Sequence, residues 1–102
     1  MRGPFDLKPE TVALAPQKPG VYMLGREGRK IWVSRADTNL RETLTGHLPE
    51  KEKSHLLKKY QPDCFWYEES DNAFEAYQLE FKWYVRFNPK ANFLAPKPPE
   101  ID

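Results

Sequence analysis

Few residues in this chain combine a reactive side chain with a position that sets it up for chemistry. Glu80 is one. It falls between Leu79 and Trp83 on the flank of an apolar helical stripe, where an unpaired carboxylate is costly to bury. Such a carboxylate meets water or a neighbouring cation such as Lys82. His47, near a helix end, is a general base when neutral and a capping cation when charged. Tyr22 carries a phenol in a β-like run, where it either packs in a sheet or handles a water. Trp32 offers an indole that donates but cannot accept, with a flat face on which a nucleic-acid base can stack. Arg26, Arg29, Lys30, Arg35 and Arg41 crowd the same segment and either bind phosphate or solvate a surface.

Other chemistries find no support. The five glycines form neither GxxxxGK nor GxGxxG, so there is no phosphate loop. Cys64, the one cysteine, runs into Phe65 and Trp66 and reads as a buried strand residue; it has no partner for a disulfide and no zinc spacing. His47 and His55 stand eight apart on charged ground, which is not a convincing metal pair. Lysine plus arginine total 16 against 15 acidic residues, a net charge of +1. A nucleic-acid partner is therefore not signalled by bulk charge and would need a locally basic face. No apolar run approaches the roughly 18 residues that span a bilayer. Met1-Arg2-Gly3-Pro4-Phe5-Asp6 lacks a signal-peptide segment, so the expected address is cytoplasmic, with no membrane partner.

The elements that must position these residues can be read from punctuation and periodicity. A chain of 102 residues favours one domain, and an aromatic content of 14% implies a core built from a few large side chains. Gly20–Leu24 and Lys30–Ser34, joined by Arg26-Glu27-Gly28-Arg29, read as a hairpin. Asn39 with Glu42 opens a helix that Pro49 ends or separates from the next. The charged run 50–59, with Leu56 and Leu57 as its apolar contact, reads as a short surface helix, and Cys64–Tyr67 as a third strand. Asn72 with Glu75 opens a longer helix whose Ala76, Leu79, Trp83 and Phe87 share one face. Asn88-Pro89 stops it. The fold class expected is α+β, a small three-stranded mainly antiparallel sheet flanked by helices. Residues 1–14 read as an N-terminal extension, 15–93 as the domain, and 94–102 as a Pro-rich flexible tail. The pairs Trp66-Tyr67 and Trp83-Tyr84 are either core or an exposed anchor for a protein partner.

Five segments carry a resemblance. Pro16-Gln17-Lys18-Pro19-Gly20-Val21-Tyr22 leads into the first hairpin strand, and Ile31-Trp32-Val33-Ser34-Arg35-Ala36 forms the second. Asn39-Leu40-Arg41 starts a helix, Glu75-Ala76-Tyr77-Gln78-Leu79-Glu80 lies on the long one, and Pro89-Lys90-Ala91-Asn92 closes the set. In order and spacing, the chain from about Ala15 to Asn92 resembles the GIY-YIG nuclease domain of excision-repair subunits, homing endonucleases and small stand-alone proteins. Each motif alone is weak; the twelve-residue interval from Glu80 to Asn92 is similar to that of repair-type members.

The resemblance implies metal-dependent DNA cleavage. Glu80 would hold Mg²⁺ or Mn²⁺, Tyr22 would act near the attacking water, and His47 would occupy a position that is tyrosine or histidine in active members. Arg35 would touch phosphate, and Asn92 would position backbone. The implied catalytic set is Tyr22, Arg35, His47 and Glu80, with Trp32, Arg29, Lys30, Arg41 and Asn92 toward nucleic acid.

Three departures cut against full activity. The second motif's tyrosine is Trp32, its glycine is Ser34, and the arginine expected four residues before His47 is Thr43. Arg41 is two residues away, about 200° around a helix, and cannot substitute. Losing a water-positioning phenol and a phosphate-stabilising donor each removes on the order of 10²–10³ in rate. The expectation is a degenerate site with nucleic-acid binding and weak or absent endonuclease activity. An active variant site, or a protein-interaction module, are the alternatives.

Overall fold

The computed structural model describes residues 1–100. Its sheet is antiparallel. Strands β1 (Arg2–Asp6), β2 (Gly20–Arg26), β3 (Arg29–Ala36) and β4 (Cys64–Glu69) lie in the order β1-β4-β2-β3. The β2–β3 hairpin turns on Glu27 and Gly28, both at positive φ (52° and 83°). That pair of conformations matches the right-handed twist of the strands it joins. Gly20 is required for another reason: a Cβ there would strike the Glu68 carbonyl on β4 and the Leu40 side chain.

The sheet has four strands where the sequence predicts three. The addition is β1, whose Pro4 and lack of alternation read as an extension. Proline cannot donate to a ladder and is tolerated on an edge strand. β1 is such an edge, and its register with β4 breaks between Arg2 and Phe5, around Pro4. Phe5 then packs at a tilt against Phe65 and stacks on Tyr67, with ring centroids 5.5 and 5.7 Å away.

Three short helices, α1 (Pro9–Val12), α2 (Leu40–Thr45) and α3 (His55–Tyr60), contribute Val12, Leu40, Leu44 and Leu57 to a core on one sheet face, against Tyr22, Leu24, Phe65 and Tyr67. The long helix α4 (Ala73–Phe87) covers the other face, setting Leu79, Trp83, Tyr84 and Phe87 against Val21, Met23, Val33, Cys64 and Trp66. Both predicted asparagine caps form: Asn39 and Asn72 accept from the amides of Glu42 and Glu75 at 3.1 and 2.9 Å. Asn88, at φ 42°, ends α4 in the left-handed region just before Pro89. The charged run behaves differently from expectation. Helix α3 takes only its second half, because Ser54 caps it, and Glu52 is turned inward. Residues 101 and 102, the end of the expected tail, lie outside the described residues. None of the described helices is long and apolar enough to cross a membrane.

Candidate active site

Strand β2 presents Tyr22, 2% exposed, to the face that carries α2, directly opposite Ser34 on β3. His47 follows α2 by one residue after its Gly46 cap. The Tyr22 Oη lies 2.7 Å from His47 Nε2, and His47 Nδ1 lies 2.7 Å from Glu52 Oε1. An ionised carboxylate only accepts. His47 therefore donates from Nδ1 to Glu52, and in the neutral ring Nε2 is left as the acceptor for the Tyr22 O–H. The second Glu52 oxygen accepts from the amides of Lys53 and Ser54 at 3.1 and 3.4 Å.

Burial pushes the Tyr22 phenol far above its ordinary pKa; the Ser34 hydroxyl offsets part of this, and the charges of Glu52 and Glu80 add to it. The phenol thus remains a donor. Trp32 packs edge-on to this group, its ring centroid 5.7 Å from Tyr22 and 5.2 Å from His47.

Arg35 pairs with Val21 across the hairpin, one rung from Tyr22–Ser34, so the pleat sends it to the α4 face. There its Nη1 donates to Glu80 Oε1 at 2.8 Å and its Nε to Asp37 Oδ1 at 2.7 Å; the Lys97 carbonyl also accepts from Nη1. Glu80 is 7% exposed. Desolvation raises the pKa of its carboxyl, Arg35 lowers it, and the net shift is upward, with Asp37 adding to the rise. For Arg35, burial acts to lower the pKa, and the bonds to Asp37 and Glu80 outweigh it.

The structure thus brings the four expected catalytic residues into two pairs. Tyr22 and His47 meet on one face, and Arg35 and Glu80 on the other. Lys82 is not the partner of Glu80; its ammonium lies 4.7 Å over the Trp83 ring.

The residues expected toward nucleic acid do not form one patch. Arg41 donates to the Ala15 carbonyl at 2.8 Å, on the α1–α2 side. Lys30 lies on the α4 side over Trp66 and Phe87, and Arg29 is exposed at the hairpin turn. Asn92 accepts from the Val33 amide at 2.8 Å and donates to the Val33 carbonyl at 2.9 Å, covering the outer edge of β3. Trp66 and Tyr67 are buried, and Trp83 and Tyr84 pack beneath α4. The large exposed apolar residues include Phe74, Phe81, Val85 and Phe93 instead.

Glu52 and Asp37 escaped the sequence reading. Asp37 sits two residues from Arg35 and was visible as a local ion pair. Glu52 was not, because its contact with His47 depends on the chain reversing after Leu48.

Comparison with solved structures decides what this frame is. The GIY-YIG N-terminal endonuclease domain of UvrC from Thermotoga maritima, bound to its catalytic magnesium, superposes with a TM-score of 0.68 at 26% identity, over 79% of this chain and 90% of that one. Two variants of that domain, each bound to its catalytic divalent cation, give TM-scores of 0.70 and 0.69 at 25% and 26% identity. One carries an asparagine-to-alanine and the other a tyrosine-to-phenylalanine replacement, and both matches span 81% of this chain and 91% of that one. This chain is a GIY-YIG-like domain. No family model matches the sequence, and no curated protein matches it.

In this GIY-YIG-like domain the fit to a divalent cation rests on Glu80. Its Oε1 is taken by Arg35, while its Oε2 has no donor among the described residues and is not sealed from solvent. No cluster of three or more histidine, cysteine or acidic side chains suited to a metal exists among the described residues. The chain can therefore offer a dication one carboxylate oxygen, and the remaining ligands would be waters. That donor set suits Mg²⁺ or Mn²⁺ and does not suit zinc.

Proposed function

We propose that this GIY-YIG-like domain binds nucleic acid and has weak or absent endonuclease activity, with DNA the favoured ligand. DNA repair is the setting that the likeness to UvrC suggests. The observation that carries the reading is the 2.8 Å Arg35–Glu80 pair. The one carboxylate available to a dication is already neutralised by a guanidinium, and a cation on Oε2 would feel that positive charge at close range. Trp32 adds to this, since the indole beside Tyr22 and His47 has no oxygen with which to hold a water. Thr43 likewise leaves the position one turn before His47 without a cation, since Arg41 of the same helix is turned to the Ala15 carbonyl. The test is direct. Purified protein is incubated with supercoiled, branched and single-stranded DNA plus Mg²⁺ or Mn²⁺, and the same substrates are run in mobility-shift assays at low salt, where phosphate contacts are strongest. Shifted but intact DNA is expected. Efficient cleavage would overturn the weak-activity part, and no shift on any substrate would overturn the binding part.

The Tyr22–His47–Glu52 chain favours a second reading, an active Mg²⁺- or Mn²⁺-dependent DNA endonuclease with a variant site. Tyr22 would take a proton from a water while passing its own to His47 Nε2, and Glu52 would stabilise the resulting imidazolium. A bound dication would lower the pKa of that water and offset charge on the phosphate. Arg35 would then contact phosphate and release Glu80. Cleavage abolished by Glu80→Gln in a folded protein would support this reading.

A further inference from the structure

The α4 side of the sheet carries a cavity of about 390 Å³ that the reading above does not use. Its lining joins Trp66 of β4 with Trp83 and Phe87 of α4, and around these rings stand Lys30, Lys82 and Arg86. Trp83 and Phe87 stack with centroids 5.5 Å apart at 15°. The Lys30 ammonium lies 4.4 Å from the Trp66 centroid and 4.6 Å from that of Phe87, and the Arg86 guanidinium 5.7 Å from Phe87. Cation–π attraction places these heads over the rings without neutralising them. Among the described residues, none of the three makes a salt bridge. The acidic neighbour of the floor, Glu68, is engaged with the Trp83 Nε1–H at 3.2 Å.

In a chain whose net charge is only +1, three unpaired cations around one cavity are a local excess made by placement. Lys82 and Arg86 are also four residues apart on one helix. Like charges at that spacing repel, and an anion between them removes the penalty.

We propose that Lys30, Lys82 and Arg86 form a second phosphate-binding site, which seats the phosphodiester backbone of a single nucleic-acid strand against the Trp66–Trp83–Phe87 floor. The volume falls in the range of small-ligand sites, about 300–1,000 Å³, which suits one or two nucleotides. The half-buried Trp83 and Phe87 rings beside these cations offer apolar contact to unpaired bases of any sequence. The site deepens the nucleic-acid-binding reading, on which its choice of ligand rests.

The experiment is fluorescence-anisotropy titration of a labelled short oligothymidylate across a salt series. It compares wild type with a K30A/K82A/R86A triple variant and, because Lys30 touches the core, with K82E/R86E at two exposed positions. Circular dichroism checks the fold of each. At least a tenfold loss of affinity is expected in both variants. The triple variant should also lose about 2 units from the log–log salt slope, three cations at about 0.7 each. Unchanged affinity and slope in the folded double variant would overturn the site, as would no binding of oligothymidylate to wild type. A duplex titration run alongside separates the two ideas. Duplex binding that survives in the variants while their oligothymidylate binding is unchanged keeps the domain's nucleic-acid role and removes this site. Oligothymidylate binding lost in the variants, with no duplex binding at all, keeps this site and removes a duplex role.

Discussion

The Tyr22 hydroxyl and His47 Nε2 stand 2.7 Å apart, joining a strand residue to one twenty-five positions later that follows α2. The contact is oriented from behind. Glu52 holds Nδ1, so the neutral imidazole turns its lone pair to the phenol. Tyr22, His47 and Glu52 are thus joined in one hydrogen-bonded chain.

Tyr22 should ionise late in an alkaline titration. Burial holds its pKa above the ordinary value of 10.0, so the native state keeps a proton that the unfolded chain gives up. The sign follows: this stabilisation is present in full below the ordinary phenol value and is lost as pH climbs above it. Ultraviolet titration of wild type should leave one phenol un-ionised until the protein unfolds in alkali. In Tyr22→Phe that late step should be gone, and Tm should fall less steeply above pH 10. A Tyr22→Phe protein with the same late step would sink the assignment.

Glu80 gives an acid-side counterpart. Its carboxyl is raised above the ordinary 4.5 because desolvation outweighs Arg35, so ionising it at neutral pH works against folding. The stabilisation that comes from binding its proton is complete below the ordinary value and is lost as pH rises through the folded one. Glu80→Gln, which can still accept from Arg35, should therefore melt at pH 7 no lower than wild type and up to about 5 °C higher, with the gap closing near pH 4. Glu80→Ala should melt lower, because a half-buried guanidinium loses one of its partners. Calorimetry at the two pH values decides it; a Glu80→Gln protein clearly less stable at pH 7 would show that the ion pair outweighs its desolvation.

Much of this was legible from the chain. The hairpin was marked by Glu27-Gly28, and both asparagine caps by an acidic residue three positions on. The GIY-YIG frame was marked by the order of five weak segments. What escaped was whatever depends on return contacts. β1 was hidden because Pro4 hides a strand everywhere except at an edge, and Glu52 because a charged run gives no sign that one carboxylate turns inward. The cationic group was mis-assembled because Lys30 and Arg41 are close in sequence but belong to opposite sides of the sheet. Pairing across a fold is set by packing, and side-chain type records it only faintly.

The departures at Trp32 and Thr43 make a gain-of-function test possible. Trp32 already lies beside both Tyr22 and His47, and Thr43 stands one helical turn before His47 near the end of α2. A Trp32→Tyr/Thr43→Arg double variant restores a phenol and a cation at those places. Mg²⁺-dependent nicking of supercoiled DNA should then rise by at least about 10²-fold over wild type, and adding Glu80→Gln should remove the gain. A folded double variant no more active than wild type would mean that the obstacle lies elsewhere, with the Arg35 hold on Glu80 the first suspect.

Asn92 supplies the sharpest stability prediction. Its amide makes both bonds that a neighbouring strand would otherwise make to Val33, accepting from its N–H and donating to its carbonyl at 2.8 and 2.9 Å. Val33 is fully buried in the core beneath α4, so its backbone groups have little access to replacement water. Asn92→Ala leaves one donor and one acceptor of that residue unpaired and should cost about 2–4 kcal/mol. Asn92→Asp should cost at least as much, because the carboxylate can still accept from the amide but faces the Val33 carbonyl with an oxygen in place of a donor. Denaturant unfolding gives both values. Hydrogen exchange gives the location: the Val33 amide should lose protection in Asn92→Ala by more than global destabilisation explains, while amides in the β2–β4 ladder follow the global change. Equal loss across the sheet would mean that Asn92 acts only through overall stability and not as the cover of the β3 edge.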